Sequence, residues 1–168
     1  MMTEPKGCLV GFLANLFSAS HRPAAGMPRV MVNKRFVSPA EGEFFRVLRA
    51  VVGTRGHVLA QVSLRQLLYL PDKGPGVQPW RNKTAQRTID FVVCDVATLR
   101  PLVAIELDEP PHATPRRQSR DEDVRTALDA AGLPLLGVLT SRNYDARELE
   151  SALSPHLGPP LDRKPATG

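Results

Sequence analysis

Two apolar runs joined by a short connection, Thr88-Ile-Asp-Phe-Val-Val-Cys-Asp95 and Leu102-Val-Ala-Ile-Glu-Leu-Asp-Glu-Pro-Pro-His112, constrain this chain more than any other feature. Each is short, rich in β-branched residues and bounded by turn formers, so the pair reads as an antiparallel hairpin. Each also carries carboxylates where a core strand would carry apolar groups. Asp90 opens the first run, Glu106 and Asp108 close the second, and His112 follows one loop later. A buried carboxylate is costly unless it is paired or binds a cation. Side chains alternate along a strand, so Glu106 and Asp108 share a face with Ala104, while Ile105 and Leu107 take the other. Acids on one side of a hairpin suit a hard cation such as Mg2+ or Mn2+, which takes carboxylate oxygens and keeps waters, as phosphodiester hydrolysis requires. The bland alternative is a strand-start acid at Asp90 and a solvent-facing acidic edge at Glu106 and Asp108.

Helices are expected on both sides of this hairpin. Ser38-Pro39-Ala40-Glu41 is a helix start, with Ser as N-cap, Pro at N1 and Glu at N3. Phe44, Phe45, Leu48, Val51 and Val52 form its apolar stripe and Gly53 stops it. His57 to Val62 reads as a strand, and Leu64 to Leu70 as a short apolar turn or helix ending at Pro71. The segment from Asp72 to Gln86 reads as a long loop. Thr114-Pro115 starts a helix with Val124, Ala127, Leu128 and Ala131 on its inner face and Gly132 as its stop. Pro134–Leu139 is a further strand, joined to the hairpin by a crossover because a helix intervenes. Tyr144 to about Leu157 is a terminal helix. The order helix, strand, strand, strand, helix, strand, helix gives an α/β fold with a mixed central sheet flanked by helices.

The chain of 168 residues is long enough for one domain with a proper core. We expect that domain at 36–157, between an N-terminal tail (1–35) and a disordered C-terminal tail (158–168), because many of the 16 prolines lie near the ends. Two cysteines, Cys8 and Cys94, make neither a disulfide framework nor a zinc pattern, and fit a reducing cytoplasm. The apolar run Cys8–Phe17 falls short of the roughly 20 residues that span a bilayer. Its flanks make a poor secretory signal, so the first reading is a disordered or loosely docked tail, with a weak signal-peptide core and an interfacial or partner-binding helix as the alternatives. Net charge is +5, and from Arg29 to Arg100 there are 12 Lys/Arg against 5 Asp/Glu, which favours polyanionic partners.

Other residues can serve such chemistry. Glu41 lies on the buried stripe of its helix, within reach of the acids, unless it acts only as a capping-box glutamate. His112, behind Pro110-Pro111, is a candidate general acid or base. Arg117 and Asp121 precede Val124 and Leu128 at helical spacing. Arg117 can meet a phosphate and Asp121 can hold Arg117 or His112, or the two form a surface i,i+4 pair. Lys73, Arg81, Lys83 and Arg87 surround Trp80, a mixture suited to nucleic-acid backbone contact and base stacking, or simply to a solvated loop.

Taken in order, Ser-Pro-Ala-Glu41…Phe-Phe, Ile-Asp90-Phe-Val-Val-Cys-Asp, Ile-Glu106-Leu-Asp108…His112, Arg117-Gln-Ser-Arg-Asp121 and Ala-Gly-Leu-Pro-Leu-Leu resemble a bacterial domain of unknown function. That domain is placed in the restriction-endonuclease-like, PD-(D/E)xK, superfamily, near the very-short-patch-repair endonucleases. The resemblance runs from about Ser38 to Leu157. It implies a divalent-metal nuclease site with Asp90 and Glu106 as metal-binding acids, assisted by the main-chain carbonyl of Leu107. Glu41 matches the upstream helical acid, and His112 the histidine that closes the acidic strand in the repair branch. The chain departs from the superfamily at acid-x-Lys, which here reads Glu106-Leu107-Asp108. Either His112 or Arg117 takes over from the lysine, or catalysis is lost. The expectation is therefore a Mg2+- or Mn2+-dependent nuclease acting on DNA rather than RNA, with Asp108 as a further metal-side acid. The alternatives are an inactive nucleic-acid-binding module on the same fold, and an interaction or envelope-associated protein using Cys8–Phe17.

Overall fold

The computed structural model describes residues 28–108 and 115–159, and for 115–121 the backbone only. The chain divides at Lys34/Arg35, and the second unit carries the fold. The Cys8–Phe17 segment and His112 lie outside the described residues.

Helix α1 (Pro39–Val52) forms as its ends dictate. Ser38 Oγ accepts from the Glu41 N–H, and Glu41 returns a carboxylate oxygen to the Ser38 N–H at 2.6 Å, a complete capping box. Gly53, at φ 56°, closes the other end by donating to the Arg49 carbonyl. Strand β1 (His57–Ser63) leads into a single turn, α2 (Leu64–Leu67). Strands β2 (Thr88–Cys94) and β3 (Pro101–Asp108) make the expected hairpin. Asp95 Oδ1 fastens their connection by accepting from the N–H groups of Ala97 and Thr98 and from the Thr98 hydroxyl. Helix α4 (Pro115–Ala130) crosses over to β4 (Leu135–Leu139), which pairs parallel with β3. The sheet order is β1-β2-β3-β4, antiparallel except for the last pair.

Apolar residues alternate between two cores, one on each face of the sheet. Phe91, Val93, Val103 and Ile105 pack with Phe44, Leu48 and Val52 of α1 and with Leu149 and Leu153. Ile89, Val92, Cys94 and Ala104 pack with Leu64 of α2 and with Val124 and Leu128 of α4. A strand buried on both faces must be apolar nearly throughout, which is why Phe91-Val-Val-Cys94 is a continuous greasy run.

Two elements differ from expectation. The segment 72–86 is not a plain loop but contains helix α3 (Val77–Thr84). Gly76, at φ 75°, turns the chain into it, and Pro79 is tolerated because it sits in the first turn. Only Thr84 of the eight residues is buried, so no apolar stripe announced it. The terminal helix is also shorter, α5 (Ala146–Leu153). Asp145 caps its first turn by accepting from the N–H groups of Arg147 and Glu148, and a 3-10 turn at Ser154–His156 follows, carrying Pro155. Among the described residues no helix is long and apolar enough to cross a membrane.

Candidate functional site

The β2–β3 ladder runs through Val93↔Val103, Val92↔Ala104 and Phe91↔Ile105 and stops there. Just past that end, the Leu107 N–H donates to Asp90 Oδ2 at 2.8 Å. The carboxylate thus stands in for a main-chain acceptor at the point where the two strands part.

The β1–β2 ladder is interrupted at the same level. It pairs Ala60 with Phe91 and Val62 with Ile89, leaving Gln61 and Asp90 between them without a ladder partner. Residues two apart in a strand share a face. Here Ala60 and Phe91 belong to the α1-side core, while Val62 and Ile89 belong to the α4-side core. The pleat is therefore reset at Gln61 and Asp90, and Gln61 has φ 53°.

Glu41 is a capping-box glutamate with a second contact. One oxygen closes the capping box, and the other accepts from Gln61 Nε2 at 3.2 Å. Gln61 lies level with Asp90 in the register of β1 and β2. Asp108 is exposed at the end of β3, and one of its oxygens lies 2.6 Å from where a Cβ on Gly137 would stand. Gly137 of β4 is the register partner of Glu106, which is half-buried. A glycine in an apolar strand marks a close approach, and here the approaching group is the Asp108 carboxylate.

Burial pushes the Asp90 carboxyl above its ordinary value of 3.8. The Leu107 N–H opposes that shift, the nearby negative charges of Glu41 and Asp108 add to it, and the Gln61 amide opposes it. The folded state therefore holds this proton more tightly than the unfolded chain does. The resulting stabilisation is full below 3.8 and is lost as pH rises through the raised folded value. Urea unfolding of metal-free protein across this range is expected to show stability falling in that window, with the fall absent from Asp90→Asn. An equal fall in both proteins would remove Asp90 as its source.

Among the described residues, no group of three or more His, Cys, Asp or Glu is arranged to hold a metal ion. Asp90, Glu106 and Asp108 thus do not converge as a three-carboxylate cage, because Asp90 is tied to the Leu107 amide in the gap between the strands. Asp90 is held by the Leu107 amide and Glu41 by Gln61 Nε2, and the negative charges of Glu41 and Asp108 act on Asp90. The side chains of Arg117 and Asp121 lie outside the described residues.

The basic segment is partly self-neutralised. Arg81 donates to the Pro71 carbonyl and pairs with Asp72 at 3.2 Å. Lys83 pairs with Asp123 of α4 at 2.7 Å and lies 4.9 Å from the centre of the Trp80 ring, covering one face of the indole. Lys73 is exposed and Arg87 half-buried. Neutralising Arg81 and Lys83 is expected to cost about 1 kcal/mol of stability or less, as for exposed ion pairs. Thermal unfolding of the double alanine variant checks this, and a larger loss would give α3 a structural part in the domain.

Gln61 and Gly137 were not singled out by the sequence. A glutamine in His57-Val-Leu-Ala-Gln-Val-Ser63 carries no signal of a positive φ. Gly137 inside Leu135-Leu-Gly-Val-Leu139 did carry the signal of an apolar strand broken by glycine.

A family model described as a protein of unknown function (DUF2726) matches residues 33–156, which spans α1 through the 3-10 turn. No curated protein and no solved structure matches the chain. The chain belongs to the DUF2726 family.

Proposed function

We propose that this domain is a restriction-endonuclease-like nuclease that hydrolyses DNA phosphodiester bonds with Mg2+ or Mn2+. The observation that carries the reading is the half-buried Asp90, held at the strand fork by the Leu107 amide with the acids Glu41 and Asp108 beside it. Like charges gathered around a partly buried carboxylate are unfavourable unless a cation or proton offsets them. The donor set is all oxygen, which suits a hard divalent ion. Mg2+ is usually held by one or two carboxylates, waters and substrate phosphate rather than by an all-protein cage. Asp90 and Glu106 would hold the ion, with Asp108 as a further acid that would orient its waters. When bound, it supplies a Lewis acid for the charge that develops on the phosphate. The Leu107 amide and Gln61 fix the direction of Asp90, His112 moves the proton, and Arg117 contacts the phosphate.

Supercoiled, nicked and single-stranded DNA incubated with protein and Mg2+ or Mn2+ test the reading. Metal-dependent cleavage should appear and be lost in Asp90→Asn and in Glu106→Gln. Cleavage surviving both changes would sink the assignment. Gly137→Ala should displace the exposed Asp108 carboxylate, lowering cleavage about tenfold while stability changes by about 1 kcal/mol or less. Unchanged cleavage would remove Asp108 from the site.

A second reading, a catalytically inactive nucleic-acid-binding module, is favoured by Asp108 standing where the superfamily has lysine. It expects salt-sensitive, metal-independent DNA binding without cleavage of any substrate.

A further inference from the structure

Three features meet at Gln61. It is a non-glycine residue at φ 53°, a conformation that side chains other than Asn and Asp seldom adopt. It falls where the β1–β2 ladder skips a pair and the pleat changes face. Its amide donates to Glu41, at the head of α1, at 3.2 Å, and its place in the register sets it level with Asp90 on the neighbouring strand. Backbone strain of this kind persists only where the surroundings enforce it, and it gathers at functional sites. An ordinary extended residue at 61 would continue the ladder, and the pleat would run on without the change of face.

We propose that Gln61 is a positioning residue whose side-chain amide ties the carboxylates of Glu41 and Asp90 into one unit, the left-handed backbone at 61 serving to aim that amide. The role of the unit in metal binding rests on the nuclease reading above; the tie itself does not. Two carboxylates repel each other, and an amide has two N–H donors, enough to serve one oxygen from each. In this way the site keeps its acids near one another before any cation arrives.

Gln61→Gly separates the bend from the amide. Glycine takes a positive φ without strain, so the variant is expected to fold and to keep the bend. The first measurement is a double-mutant cycle in metal-free protein, pairing Gln61→Gly with Glu41→Ala and reading the folding equilibrium constant from urea unfolding. A coupling factor of about fivefold is expected, typical of residues sharing one polar network. Additive effects would overturn the tie, whatever the protein does with metals. The second is a Mn2+ titration of the same Gln61→Gly protein, where affinity should fall about tenfold, as when a supporting contact of a metal ligand is removed. Glycine matching wild type in both measurements would mean that only the bend matters. Wild-type protein that takes up no Mn2+ would count against the nuclease reading alone, with the cycle still deciding for or against Gln61.

Discussion

Asp90→Asn is expected to lower DNA cleavage by about a thousandfold or more while leaving the fold at least as stable as the wild type. The two outcomes come from one geometry. Asparagine keeps the shape and keeps an oxygen to accept from Leu107, whose N–H now lies 2.8 Å from Asp90 Oδ2. It removes the negative charge that burial and the neighbouring acids oppose. Losing a metal-holding charge removes several kcal/mol of transition-state stabilisation, and a thousandfold corresponds to about 4 kcal/mol. In the metal-free protein the same change relieves repulsion from Glu41 and Asp108, so a stability gain of up to about 1 kcal/mol is expected. Cleavage rates and urea midpoints from one preparation check both. A variant that is inactive because it is unfolded would refute this account of Asp90.

Phe91→Ala is expected to have the largest effect on the fold, a loss of about 3–5 kcal/mol. Phe91 is fully buried in the middle strand of the antiparallel half of the sheet. Its ring lies 5.4 Å from that of Phe44, tilted, and 6.0 Å from that of Phe45, stacked. It is therefore one of the main contacts through which α1 grips the sheet. Truncation leaves a cavity lined by residues held in a helix and two strands, which limits how far the site can collapse. Since domains of this size are stable by only about 5–15 kcal/mol, much of the margin would go. Thermal unfolding would show it, and a loss under about 1 kcal/mol would mean that the α1-side core is not what holds the domain. The contrast with Asp90→Asn matters because the two residues are adjacent: one change should abolish activity with the fold kept, the other should weaken the fold itself.

The helix starts and stops around the hairpin were legible because they depend on local chemistry. Ser38, Pro39, Glu41 and Gly53 act within one turn of themselves, and the structure places them as cap, first-turn proline, box partner and stop. The hairpin and the crossover followed from run length and from the helix between β3 and β4. Helix α3 was not legible, because it buries only one threonine and carries no periodic apolar face. In the site, alternation put Glu106 and Asp108 on the side of Ala104, and Ile105 and Leu107 pack in the opposite core. Alternation could not tell that Asp90 leaves the pleat to meet the Leu107 amide, since that depends on the break at Gln61 on another strand. The capping-box reading of Glu41 was legible from Ser38 three residues before it, whereas its second contact, to Gln61 on β1, was not.

Calorimetric titration of the folded, metal-free protein with Mn2+ and Mg2+, run beside Asp90→Asn, tests the central claim most directly. Saturable uptake by the wild type, abolished or at least tenfold weaker in the variant, is the expected result. No uptake by the wild type in the presence or absence of DNA, or equal uptake by both proteins, would contradict it.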